Sequence, residues 1–136
     1  MPFVLDASAT AAWCFPDEDN AAADAAFDRL SADNAVVPAL WWVEIRNIMI
    51  VGERRQRIDA LDTARFLANL DRLPIKTDRS PVSDLVLALA RQHRLTVYDA
   101  VYLELASRLS LPLATLDVRL AAAAQADGVP LLAIQQ

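Results

Sequence analysis

Short apolar runs of β-capable residues alternate along this chain with longer stretches in which apolar positions return every three or four residues. That alternation predicts parallel strands joined by helices. Strands are expected at Phe3 to Leu5, Ala35 to Val37, Pro74 to Lys76, Thr96 to Val97, Leu113 to Leu116 and Leu131 to Ile134, with Pro74 to Lys76 carrying the weakest signal. Helices fill the gaps. The first is expected to start at Ser8, whose hydroxyl can cap it, and to end before Pro16; the second covers Asn20 to Ser31 and the third Leu40 to Glu53. Asp59 and Asp62 open a fourth that reaches Leu73, and Ser80-Pro81 places proline in the first turn of a fifth ending near His93. Asp99 opens a sixth that runs to Leu109, and a seventh carries Arg119 to Ala126 before Asp127-Gly128 closes it. The predicted architecture is α/β, a central parallel sheet of about five strands flanked by helices.

The third helix is unusual in being polar only at Glu44, Arg46 and Asn47 between Leu40 and Val51. At about 100° per residue, Leu40, Trp41, Asn47, Ile48 and Val51 share Glu44's side, whereas Trp42, Met49 and Ile50 point the other way. Exposed aromatic and methionine side chains mark interfaces, so that second face is expected to meet another subunit or a partner helix.

A chain of 136 residues fits one domain spanning 1–136, large enough to bury a core without disulfides. Its 55% apolar content and 2 glycines argue against disorder and against an all-β fold, which needs many glycine-bearing turns. Cys14 is the sole cysteine, which excludes an intramolecular disulfide and a cysteine-based zinc site and fits a reducing cytoplasm. No charged start followed by a long apolar run is present, nor any window of about 18 consecutive apolar residues, so neither export nor membrane insertion is expected. The net charge of −5 disfavours nucleic-acid binding through a general basic surface. A nuclease remains open, because bound metal offsets the charge of clustered acids. The run Glu53-Arg54-Arg55-Gln56-Arg57 could then touch phosphates, or else is a solvated helix end.

With glycine only at Gly52 and Gly128, neither a GxGxxG turn nor a phosphate-cradling P-loop can be built. Ser8 lacks a glycine elbow and the single histidine, His93, reads as a surface residue at a helix end, so a serine hydrolase fails too. A receiver domain is a poor fit, since the only lysine, Lys76, sits beside a weak strand. What remains is four acids placed against apolar sequence. Asp6 ends Phe3-Val4-Leu5, Asp99 follows Thr96-Val97-Tyr98, Asp117 follows Leu113-Ala114-Thr115-Leu116, and Glu44 interrupts Leu40-Trp41-Trp42-Val43 and Ile45. An ionised carboxylate there is costly unless compensated, and a hard divalent cation with oxygen ligands, Mg²⁺ or Mn²⁺, is the usual compensation. Three of the acids stand at expected strand-to-helix junctions, where open α/β sheets bind ligands. Each could also be an ordinary helix cap, whereas Glu44, in mid-helix, requires a partner. Ser8 and Thr115 carry hydroxyls able to orient a carboxylate or a metal-held water.

Val4-Leu5-Asp6-Ala7-Ser8, Glu44 with Asn47, Leu95 through Ala106 and Leu113-Ala114-Thr115-Leu116-Asp117 together resemble the PIN-domain ribonucleases, and more narrowly the VapC toxins of type II toxin–antitoxin pairs. The resemblance covers essentially the whole chain. It implies a three-layer PIN-like domain and a metal-dependent endoribonuclease in which metal-activated water attacks an RNA phosphodiester. Asp6, Glu44, Asp99 and Asp117 are then the metal-binding acids, supported by Ser8, Asn47 and Thr115. It also implies a cognate antitoxin and a homodimer as partners. The alternative class is a non-catalytic interaction module with a PIN-like or receiver-like fold.

Overall fold

The computed structural model describes residues 1–15 and 17–132. Eleven elements follow one another among them: β1 (Phe3–Leu5), α1 (Ala7–Ala12), α2 (Ala21–Arg29), β2 (Ala35–Pro38), α3 (Leu40–Arg54), α4 (Ala60–Leu70), β3 (Ile75–Asp78), α5 (Ser83–His93), α6 (Val97–Leu109), β4 (Leu113–Ala114) and α7 (Val118–Ala126). All strand pairings are parallel, in the order β3-β2-β1-β4. The sheet has four strands rather than five, extended at the β4 edge by a single bridge from Leu113 to Leu131. The expected strand from Leu131 to Ile134 is thus met only by that bridge, with residues 133–136 and Pro16 outside the described residues.

Continuous apolar strands are what a parallel sheet covered on both faces demands. Phe3, Val4 and Leu5 are wholly buried, as are Ala35 and Leu113. Helix α6 lies across β1, β2 and β4 with α5 and α7 against it, while α3 packs on β2, α2 on β4, and α1 joins α2 to α3. This is the three-layer α/β arrangement expected. The strand order steps outward from β1 to β2 to β3 and then returns to β4 on the other side of β1. The reversal places a topological switch point, the crevice where such sheets bind ligands, between the carboxyl ends of β1 and β4.

Local chemistry moved several boundaries. Thr96-Val97 is no strand: the Thr96 hydroxyl accepts the Asp99 backbone N–H at 3.2 Å and caps α6, so Asp99 sits in a helical first turn and not at a strand end. The first helix is capped by Asp6, whose carboxylate accepts the Ala9 N–H at 2.9 Å, and Ser8 stands inside its first turn. Helix α5 starts at Ser83, past Pro81, because the Val82 N–H is drawn to Glu104 at 3.3 Å and the Ser80 N–H to Asp78 at 3.3 Å. His93 is half-buried against Asp127 at 3.3 Å rather than a surface cap.

On α3 the predicted outward face divides. Trp42 and Ile50 are exposed, and Arg46 stacks on the Trp42 ring at 3.8 Å. Met49 is fully buried in a small apolar cluster with Ala11, Phe15 and Ile58. The reason is that the chain beyond α1 and the start of the α4 region wrap around that flank of α3, so burial reaches further round the helix than one sheet contact would give.

Candidate functional site

The switch point is built from two polar clasps. At the end of β1, Asp6 is 4% exposed, and its carboxylate accepts hydrogen bonds from the Ala9 N–H, from the Ser8 hydroxyl at 2.8 and 2.9 Å, and from the Thr115 hydroxyl. Ser8 in turn accepts the Leu116 N–H at 2.9 Å, and Thr115 accepts the Asp117 N–H at 3.0 Å. Ser8 and Thr115 therefore tie the end of β1 to the loop after β4 through the acid between them. Asp117 caps α7 by accepting the Leu120 N–H at 3.0 Å. Both strand-end aspartates are helix caps, but Asp6 carries more hydrogen bonds than a cap uses.

Glu44 reaches the same place from α3. Its carboxylate accepts a 2.6 Å hydrogen bond from the hydroxyl of Tyr102, a residue 2% exposed on α6 three positions after Asp99. Tyr102 was given no role by the sequence reading. The available signal was a phenol within an otherwise apolar helical run, where a buried hydroxyl needs a partner. Burial and the neighbouring Glu44 hold that phenol in its protonated, donating form.

Three of the four carboxyls are raised, each by burial first and by a neighbouring acid second. Burial pushes the Asp6 carboxyl up to about 6, against the hydrogen bonds it accepts and with a further push from Asp117. Glu44 is raised first by burial and then by Asp6 and Asp99, and Asp99 by burial and then by Asp117. Burial and a neighbouring like charge both disfavour the ionised form. Among the described residues, no group of three or more acidic, histidine or cysteine side chains is placed to grip one metal ion. Glu44, Asp6 and Asp117 are each turned to a protein donor. Asn47 stands apart from this cluster: it is exposed, one turn further along α3, and lines a separate cavity.

Glu104 is a fifth acid in apolar surroundings, 1% exposed, and it belongs elsewhere. Arg108 donates to it at 2.7 Å and to Asp78 at 2.7 Å, a closed ion-pair network bracing α6 against the end of β3. The four acids at the switch point have no arginine or lysine bridged to them among the described residues. No helix of the described residues is long and apolar enough to cross a membrane.

A family model for the PIN domain matches residues 3–126. Solved structures share the fold. PAE2754 from Pyrobaculum aerophilum is 26% identical, with a TM-score of 0.71 over 90% of this chain and 84% of that one. FitAcB from Neisseria gonorrhoeae is 19% identical, with a TM-score of 0.63 over 98% and 97% of the two chains. VapC20 from Mycobacterium tuberculosis, a sarcin–ricin loop cleaving toxin, is 13% identical, with a TM-score of 0.59 over 89% and 94%. No curated protein matches the sequence.

Proposed function

Because the chain belongs to the PIN-domain family, we propose that it is a metal-dependent endoribonuclease, the toxin of a VapBC-type toxin–antitoxin pair. The observation that carries this reading is the convergence of Asp6, Glu44 and Asp99 with Asp117, three of them raised by burial and by a neighbouring acid of the four, with no cationic side chain of the described residues bridged to them. An all-oxygen donor set of that charge suits Mg²⁺ or Mn²⁺. A cation held there supplies Lewis-acid stabilisation to the charge that develops on a phosphodiester and acidifies water. Asp6, Glu44, Asp99 and Asp117 would hold it, with Asp6, Glu44 and Asp117 turning to it from the protein donors they now face.

The remaining work falls to the chain's own groups. Ser8 and Thr115 fix the Asp6 carboxylate, and Tyr102 fixes that of Glu44. Asp99 lies in the first turn of α6 and Asp117 caps α7, so the positive ends of two helices lie beside acids that a phosphate must approach. The fold shared with VapC20 supports RNA as the substrate class. A non-catalytic module or a receiver gains no such support: all four acids are retained, and Lys76 lies on β3, the edge strand two removed from β1. The test is expression in a bacterial host. Wild-type protein should arrest growth, the arrest should be relieved by a small protein encoded beside it, and Asp6→Asn should grow normally; normal growth with abundant soluble wild-type protein contradicts the toxin reading.

Exposed Trp42 and Ile50, eight positions apart on one stripe with Arg46 midway, support a contact on that face with a second copy of the chain or with an antitoxin helix. Changing Trp42 and Ile50 to Glu is expected to shift the protein toward monomer or to weaken antitoxin binding without changing RNA cleavage. Sedimentation velocity of variant and wild type checks this; identical assembly and identical antitoxin affinity contradict it.

A further inference from the structure

A cavity lies further along the helix that carries Glu44. Along α3, Ile48, Val51 and Arg55 recur within about 40° of Glu44, so Arg55 stands on Glu44's side of the helix roughly 16 Å further on. Asn47, Ile48, Val51, Arg55, Phe15 and Arg57 line a cavity of ≈ 240 Å³ beside this stripe. Phe15 stands at its base and is itself buried. Gly52 lacks a side chain where a Cβ would come 2.9 Å from the Phe15 ring, and Arg57 lies over that ring at 4.0 Å. Arg57 is held there by Asp17 at 2.9 Å and Glu18 at 3.2 Å. Arg55, by contrast, makes no ion pair or side-chain hydrogen bond among the described residues, and neither does Asn47.

We propose that this α3 groove is the subsite for the single-stranded RNA flanking the scissile bond, with Arg55 on a backbone phosphate and Asn47 hydrogen-bonded to the strand between Arg55 and the carboxylates. The inference rests on the nuclease reading and answers a difficulty within it, since a chain of net charge −5 must draw a polyanion to an acidic centre by some local means. Arg29, Arg57 and Arg108 are committed to acids; Arg55 is one of several cationic side chains with no ion pair among the described residues, and it is the one that follows α3 on Glu44's side. Phosphate contacts of this kind set register on the strand and leave base choice to other residues.

The test measures binding without chemistry. A fluorescently labelled single-stranded RNA oligonucleotide is titrated with the full chain in EDTA at several KCl concentrations, followed by anisotropy. Arg55→Glu is expected to weaken binding several-fold and to flatten the slope of log affinity against log salt by about 0.7, the value of one lost single-strand phosphate contact. Asn47→Ala should weaken binding with the slope unchanged. Arg91→Glu, an equal charge change at an exposed site on α5, should alter neither. Thermal melting of each variant establishes that it is folded. If wild type binds and cleaves RNA while Arg55→Glu behaves as Arg91→Glu does, the groove is not a subsite and the nuclease reading stands. If wild type neither binds nor cleaves RNA, the nuclease reading fails and this inference with it.

Discussion

Asp99→Asn is expected to leave the protein folded and to lower RNA cleavage by more than about 100-fold. Losing a group that merely orients a metal ligand typically lowers affinity or activity about 10–100-fold, and loss of a ligand itself should exceed that. The fold should survive because Asp99 is not the cap of its helix: Thr96 is, and its hydroxyl still accepts the N–H of residue 99 after the change. Removing the negative charge also relieves the repulsion from Asp117 that contributes to the raised Asp99 carboxyl. Cleavage rates and melting temperatures of the two proteins check both halves. Wild-type metal affinity and activity in Asp99→Asn contradict a shared site.

Stability of the metal-free protein should fall as pH rises, the reverse of what paired surface carboxylates give. The Asp6 carboxyl is raised in the folded chain from 3.8 to about 6 by burial, so the folded state holds its proton more tightly than the unfolded one. Its contribution is fully present below about pH 4 and is lost as pH rises through about 6, a change on the order of 3 kcal/mol. Glu44 and Asp99 are raised too and act in the same direction. Asp78, lowered by Arg108, acts oppositely and only at more acid pH. Thermal melts in EDTA from pH 4 to 8 should therefore decline across the middle of the range. Mn²⁺ at 100 times its dissociation constant should restore about 2.7 kcal/mol at pH 7.5. Melting that is flat or rising with pH and indifferent to Mn²⁺ contradicts a shared carboxylate site.

Much of the fold was legible because parallel strands buried on both faces read as unbroken apolar runs. Phe3 to Leu5 and Ala35 to Val37 could hardly be anything else, and Asn20 and Asp59 announced their helices by capping chemistry that the structure reproduces. Thr96-Val97 misled for a reason that is also local. A β-branched pair before an aspartate reads equally as a strand end or as a cap and first turn, and only the tertiary position of α6 across the sheet decides. Met49 misled because a helical wheel sees one helix at a time and cannot know that Phe15 and Ile58 close over its flank.

The acids were legible in part for a physical reason and in part by resemblance. Burial cost singled out Asp6, which is buried, and Glu44, which is half-buried, but the same criterion would pick Glu104, which the structure pairs with Arg108 one turn away. What separates them is an i,i+4 arginine in the sequence, present for Glu104 and lacking on that side for Glu44, where Ile48 occupies the position. Tyr102 escaped notice because its partner lies 58 positions away on another helix. Asn47 was grouped with the acids by the family resemblance, whereas exposure and the α3 cavity associate it with Arg55.

Cleavage of total cellular RNA by the purified chain, with Mg²⁺ or with EDTA and with the cut ends mapped, tests the central claim most directly. The account predicts discrete endonucleolytic cuts that require the divalent ion and disappear in Asp6→Asn and Asp99→Asn. Cuts that persist in EDTA or in both variants, or intact RNA after incubation of folded wild-type protein with Mg²⁺ and Mn²⁺, contradict it.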